Sequence, residues 1–525
     1  MVPFGLVKVK MLPFKDSNTF TVYIKTAPNS ALKKTQEVSQ CVIDTLSQHS
    51  EVLNMELFLG LPSPIDLAGM AKNLAFNTGE NFAHIVANIK PIDERDISSY
   101  QLVSSLRADI KKCARESDET INIVEPPVGP PIVGAVVAEI YGDDTNKLFN
   151  LARNIKKVFN TVDGLVDTTI FTNKPYDMYE LFIDKEKMAV YGVTYQQINE
   201  ILYASFSGLV AGTINQENIL AQTALYVRVN DMHRSIKNYS SGELKMTLQQ
   251  LTLINHQGLP VALSELITIT PTRESASVTY KDLRKMISVT AEADLVSQIY
   301  PLLILRDALK ETLSEKYDIE DGDKLNLKLI DKQTKAVYSI EFDGELQLTF
   351  DVFSELGVAL ILALVFILIL ITLYYKNLKL GAIVLSSSML SLVGIIIGHY
   401  LVSLFTEITF FFTITSFVGY IVLIGISSRN SLLLIDFSKQ LLRTEEMDET
   451  RAIAIATATR TKPILLTASA IMLGNTLLAT DPVFGGLGVA LIFGTVTAVL
   501  ASLLIVPIFL NSVRYNELIK ADENE

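Results

Sequence analysis

Hydrophobic and polar residues are distributed in two different ways along this chain, and the change comes near residue 350. Ahead of it, 18-NTFTVYIKTA-27 alternates as a half-buried strand does. The stretch 29-NSALKKTQEVSQCVIDTLSQH-49 then repeats its apolar residues at helical spacing behind an Asn cap, and 51-EVLNMELFLG-60 returns to strand. The order recurs as strand 82-FAHIVANIK-90, helix 98-SSYQLVSSLRADIKKCARES-117 and strand 120-TINIVE-125, giving a βαββαβ unit over 1–126. After 126-PPVGPPIVG-134 the same grammar restarts with strand 135–141, helix 144–160 and strands 165–172 and 178–184. Residues 185–270 interrupt it with helices, strands and turn signals such as 255-NHQGLP-260. Strands near 276–281 and 285–292, a helix at 297–315 and a strand at 325–331 complete the second unit.

Beyond 350 the apolar residues run together instead of alternating, and five stretches are long enough to cross a bilayer core of about 30 Å: 356–375, 380–405, 409–437, 463–480 and 484–510. Lys376, Lys379, Lys439, Arg443, Arg451, Arg460, Lys462, Arg514 and Lys520 fall on one side of these spans, and the turns near Glu407 and Asp481 carry no Lys or Arg. That side is expected to be cytoplasmic, with residues 1–350 outside. Between the third and fourth spans, 444-TEEMDETRAIAIATATRTK-462 starts acidic and ends basic, which predicts a short cytoplasmic surface helix before Pro463 opens the next span. The expected fold class is thus a five-span α-helical bundle joined to an extracytoplasmic α+β region of ferredoxin-like subdomains. Its parts are 1–126, then 127–184 with 271–345, an inserted subdomain at 185–270, the bundle at 346–510 and a cytoplasmic tail at 511–525. Two or three unrelated α+β domains would fit the periodicity as well.

The net charge of −12 comes without a basic cluster, which argues against nucleic acid as a partner. Cys41 and Cys113 lie in two separate predicted helices, and spacing alone does not establish that they pair. Five scattered histidines suggest no metal centre, and His399 reads as an interfacial helix-end residue. The chain opens MVPFGLVKVK without an apolar signal segment, although the region that follows is expected outside the cytoplasm.

Arg429 and Asp436 sit inside the third apolar stretch, 409-TFFFTITSFVGYIVLIGISSRNSLLLIDF-437, where an ionisable side chain marks a pathway or relay. Seven residues is nearly two helical turns, so the two are expected on one face, with Asn430 beside the first.

The segments 425-GISSRNSLLLIDFSK-439, 460-RTKPILLTASAIMLG-474 and 484-FGGLGVALIFGTVTAVLASLLIVPIFL-510 resemble the last three spans of resistance-nodulation-division efflux pump inner-membrane subunits. The runs 9-VKMLPFKDSNTFTVYIKTAPNSAL-32 and 180-ELFIDKEKMAVYGVTYQQINEIL-202 resemble the opening of the second periplasmic half of these pumps and the entry to its docking subdomain. The resemblance covers essentially the whole chain but only the second of the family's two repeats, from just after that repeat's first span. It implies a proton-driven exporter of small apolar or amphipathic compounds, with no covalent chemistry and no cofactor. It implies as partners a complementary amino-terminal half or full-length pump chain, assembly as a trimer, a periplasmic adaptor and an outer-membrane channel. Arg429 aligns with the family's relay cation, which faces two aspartates of the other repeat; Thr467 aligns with a polar relay residue and Arg460 with a basic residue at the cytoplasmic entry. A guanidinium holds its proton at any relevant pH, so Arg429 would tune the aspartates rather than carry protons. Phe58 and Phe76, in 57-LFLGLPSPIDLAGMAKNLAF-76, are expected as walls of a substrate cleft between subdomains. The alternatives are a protein-export accessory subunit, which would not need the 185–270 insert, and a non-transporting remnant of a split gene.

Overall fold

The structure is a computed structural model describing residues 6–28, 30–115, 119–172, 175–217, 219–220, 222–229, 241–274, 277–406, 409–444 and 447–512. It divides into two compact units, one of residues 1–171 with 278–525 and one spanning Thr172–Ser277.

The first sheet of the larger unit contains β1 (Thr19–Lys25), β2 (Val52–Leu59), β3 (Phe82–Ile89) and β4 (Thr120–Val124), antiparallel throughout in the order β2-β3-β1-β4. Alternation sends Phe20, Val22 and Ile24 to one face of β1. There they meet Val38, Val42 and Leu46 of helix α1 (Leu32–Leu46) and Leu102, Leu106 and Ile110 of the helix Ser99–Lys111. A disulfide joins Cys41 of α1 to Cys113, which lies in the turn just after the helix Ser99–Lys111 rather than within it as expected.

A second sheet orders its strands as Arg284–Ala293, Val136–Tyr141, Val337–Asp343, Leu327–Asp331 and Tyr317–Asp321, with Leu165–Ile170 and Thr279–Lys281 on the outer edge of Arg284–Ala293. The strand at 325–331 was expected to close this unit, but the neighbour of Val136–Tyr141 is Val337–Asp343. The reason is local: Tyr338, Ile340 and Phe342 alternate inward, and Leu327–Asp331 lies between that strand and Tyr317–Asp321.

The smaller unit has its own core around Ile198, Leu244, Leu248, Leu263 and Leu266. Its strands Tyr176–Ile183 and Ile267–Glu274 pair with each other along their whole length. The strand expected at 178–184 in the surrounding subdomain therefore belongs to the insert.

Among the described residues, five helices are long and apolar enough to cross a membrane: Glu345–Tyr375, Leu378–Phe405, Ile414–Thr444, Glu449–Ala479 and Gly485–Ser512. They are called spans one to five. The third begins only at Ile414, because residues 409–413 are extended and Phe412 bridges to Val9. The fourth absorbs most of the expected surface helix, since Pro463 lies within a continuous helix rather than at its start. Spans tolerate proline within a helix, and around it Thr457, Thr461 and Thr467 each donate to a carbonyl four residues back. Within the fifth span a π turn at Ala501–Ile505 separates the helices Gly485–Leu500 and Val506–Ser512. Most of the tail expected at 511–525 lies outside the described residues.

Close helix contact is enforced at Gly394 and Gly398 of span two, where an added Cβ would stand 2.0 Å from Thr497 Oγ1 and 2.4 Å from the Phe493 ring of span five. His399 follows one residue later and is fully buried rather than interfacial. Its Nδ1 donates to the Ile395 carbonyl at 2.8 Å and its Nε2 accepts from the Ser416 hydroxyl at 2.8 Å, so the ring is a satisfied core element.

Candidate functional site

Span three is where the bundle changes character. Its inner face carries Ser427, Ser428 and Ser431, and span two presents Ser387, Ser388 and Ser391 at the same spacing. The hydroxyls meet in pairs, Ser387 with Ser431 at 2.9 Å and with Ser427 at 3.2 Å, and Ser388 with Ser428 at 3.2 Å; Ser502 of the π turn lies 3.4 Å from Ser431. This buried hydroxyl seam joins three spans, and hydrogen bonds of this kind hold helices together where lipid offers no competing partner. The sequence reading missed it, although the repeated i, i+1, i+4 serine pattern in adjacent spans was the available signal.

The opposite face is exposed at Val418, Val422, Gly425, Arg429, Leu433, Asp436 and Gln440, a single stripe at steps of three and four. Arg429 and Asp436 do share it. Asn430 does not: one residue is about 100° of turn, and that places it among the buried residues of the inner face. Asp436 accepts a 2.5 Å hydrogen bond from the Tyr375 hydroxyl at the end of span one, whereas Arg429 has no hydrogen bond or ion pair among the described residues. Thr467 is exposed on span four and bonds its own helix, to the carbonyls of Pro463 at 3.1 Å and Ile464 at 2.9 Å. Arg460 lays its guanidinium over the Phe437 ring at 4.6 Å, and its Nε is buried without a hydrogen-bond partner among the described residues. The geometry therefore brings Arg429 and Asp436 onto one uncovered surface and leaves Asn430 and Arg460 packed within the chain.

A cavity of about 190 Å³ lies between the two sheet subdomains of the larger unit, and Phe58 and Phe76 do not line it. Its aromatic wall is Phe14 with Tyr100, ring centroids 5.3 Å apart, and its polar groups include Lys72, Arg107 and Glu125. Phe58 is a half-buried residue of β2, and Phe76 is exposed at the end of the β2–β3 connection. Burial pushes the Glu125 carboxyl up to about 7, against the opposing pull of the Ser99 hydroxyl and Arg107. Arg107 is held by Asp167 and Asp294 across the subdomain boundary, and Ser104 bonds Asp294 at 2.8 Å.

Comparison with known proteins decides the lineage, since residues 2–514 match the AcrB/AcrD/AcrF family. The chain belongs to that family. Its relatives include the swarming motility protein SwrC of Bacillus subtilis (strain 168), 24% identical over 379 residues that cover 70% of this chain and 32% of SwrC. Multidrug resistance protein MdtC of Pectobacterium carotovorum subsp. carotovorum (strain PC1) is 21% identical over 462 residues, 85% of this chain and 40% of MdtC. Cobalt-zinc-cadmium resistance protein CzcA of Cupriavidus metallidurans (strain ATCC 43123 / DSM 2839 / NBRC 102507 / CH34) is 23% identical over 385 residues, 71% of this chain and 33% of CzcA. The chain thus spans well under half the length of these relatives. A crystal structure of a heavy metal efflux pump shares the fold with a TM-score of 0.71 at 17% identity, covering 97% of this chain and 48% of that one.

Proposed function

We propose that this member of the AcrB/AcrD/AcrF family supplies half of a proton-driven efflux permease, and that Arg429 is the fixed counter-ion of its relay. The observation that carries the reading is the uncovered stripe of span three: a guanidinium at membrane depth costs several kcal/mol unless it meets water or an opposite charge. Paired carboxylates from a complementary half or full-length chain would meet it, with Asp436 on the same stripe and Thr467 exposed on span four. Arg460, stacked and basic, would anchor the cytoplasmic entry. The strand order β2-β3-β1-β4 with two helices on one face supports the ferredoxin-like porter reading of 1–126. The Cys41–Cys113 disulfide and the one-sided Lys and Arg of the span loops support an extracytoplasmic position for the region ahead of the spans. Assembly as a trimer with an adaptor and an outer-membrane channel follows the family.

The cargo we favour is a small amphipathic or apolar compound, because the cavity between the subdomains is walled by Met11, Phe14, Tyr100 and a proline-rich turn, with carboxylates at its margin. Metal-pump relatives make a cation the second reading. The test is Arg429→Met in the complete assembly. Abundance should be unchanged and export should collapse across pH 6 to 8, because the partner carboxylates lose their counter-ion and titrate at higher pH. Export at the wild-type rate would end the proposal.

A further inference from the structure

β3 places His84 between Tyr23 of β1 and Phe58 of β2, its direct cross-strand neighbours. The ring is buried and stands edge-on to Tyr23, centroids 4.7 Å apart. Its Nδ1 accepts the backbone N–H of Ser63 at 3.0 Å, with the Ser63 hydroxyl 3.1 Å from the same nitrogen. A backbone amide can only donate, so Nδ1 carries no proton and the hydrogen of the neutral ring sits on Nε2. That nitrogen is buried with no hydrogen-bond partner among the described residues. A core histidine retained for packing alone would have no reason to leave a donor unpaired.

What the ring holds is the connection between β2 and β3. Three residues after Ser63, Asp66 accepts from the Tyr23 hydroxyl at 2.7 Å and caps the short helix Leu67–Ala71 by accepting the Gly69 N–H at 2.6 Å. A Cβ on Gly69 would stand 2.0 Å from the Tyr23 oxygen, so the close approach requires glycine there. Ala68 and Lys72 then line the cavity between the subdomains, and Lys72 reaches across it to pair with Glu292 and to bond the Val133 carbonyl at 3.3 Å. Along the same connection Leu61, Ile65, Leu67, Met70 and Phe76 turn their apolar side chains outward.

We propose that His84 is a positioning residue that latches the 60–76 connection as a wall of this cavity only while its ring is neutral, so that a proton on Nδ1 releases the wall. A protonated Nδ1 would point a second N–H at the Ser63 N–H, and the bond is lost. The importance of the wall rests on the cavity being the cargo site; the latch itself does not. The groups facing the ring are Tyr23 from β1, Phe58 from β2, and Ser63 and Asp66 from the connection. Burial lowers the pKa of His84 and outweighs the attraction of the Asp66 charge for the proton. With the latched value below the released one, the latched form is undiminished above the ordinary histidine range and loses ground as pH falls through and below it.

The test is hydrogen–deuterium exchange over residues 60–76 of the full chain in detergent micelles at pH 7.5 and pH 5, corrected for intrinsic exchange. Protection should fall at least tenfold between the two in the native protein. His84→Gln, whose amide oxygen accepts the Ser63 N–H without titrating, should be protected at both, and His84→Phe, which keeps a ring but no acceptor, at neither. Undiminished protection of the native protein at pH 5, full protection in His84→Phe at pH 7.5, or a native-like pH step in His84→Gln would each overturn the latch. Binding of the cationic dye ethidium, measured on the same samples, separates the two readings. Affinity that does not follow the exchange at either pH would remove the cavity as cargo site while leaving the latch intact.

Discussion

Arg107, in the region ahead of the spans, keeps 11% of its side chain exposed and is surrounded by Asp167 and Asp294, while Arg429, inside span three, is exposed and has no such partner among the described residues. The same group is ion-paired within the chain in one region and presented outward in the other. In the aqueous region a buried charge without its partner would cost more than folding could tolerate, so the chain brings its own carboxylates. In the bundle the seam between spans two, three and five is built of neutral serine hydroxyls paired among themselves, and Arg429 is on the outside. Spans two, three and five bury just over half of their most apolar stretch, against 6% for span one and 11% for span four.

The comparison can be broken most forcefully at Arg107. Arg107→Met should lower the stability of the full chain by about 3–5 kcal/mol, since it leaves Asp167 buried beside only the half-exposed Lys111. Denaturant midpoints followed by tyrosine fluorescence would measure it, and a loss under about 1 kcal/mol would mean the cluster is screened by solvent like any surface pair. Glu125 sharpens the same region. Its folded value of about 7 lies above the ordinary 4.5, so between those values the unfolded chain releases a proton that the folded chain keeps, and stability falls as pH rises. Glu125→Gln should therefore stabilise by about 1–3 kcal/mol at pH 8 and by nothing at pH 4. A gain that is the same at both would show that the carboxyl is not the cause. The smallest effect belongs to the outer stripe. Gly425 has no atom within 4 Å of an added Cβ, so Gly425→Ala should raise the helix stability of this chain by up to about 1 kcal/mol in thermal melts, yet impair assembly with the partner half. Loss of stability in this chain by itself would show that the stripe is already packed.

The spans were legible because long stretches of high mean hydropathy leave few other readings, and the sheet subdomains because alternation and helical spacing followed each other in order. What escaped depended on phase and on distance. Pro463 carries the same local signal at a helix start as inside a span, and only the threonines around it tell the two apart. Asn430 shares a sequence neighbourhood with Arg429 but not a face, because adjacency along a helix is a quarter-turn or more of separation. The Phe14–Tyr100 wall joins residues 86 positions apart, which no periodicity reports. For Phe58 and Phe76, aromatic content near a turn was not enough to place them against a cavity. Cys41 and Cys113 pair because the turn after the helix Ser99–Lys111 brings Cys113 back against α1, a fact of three dimensions that their separation of 72 residues conceals.

The π turn of span five works as a phase adjuster. Buried positions after it and before it fall at Ala498, Ser502, Val506 and Leu510, every fourth residue. On an unbroken α-helix each step of four overshoots a full turn by about 40°, so Leu510 would stand about 120° around from Ala498. Underwinding over Ala501–Ile505 absorbs the surplus and keeps all four on one line. The helix end is thereby sensitive to arithmetic rather than to chemistry. A residue lost between 501 and 505 would let the turn relax to ordinary α-helix with Leu510 still near its line, whereas one residue added there would leave hydropathy and charge almost unchanged yet swing everything beyond it by about 100°.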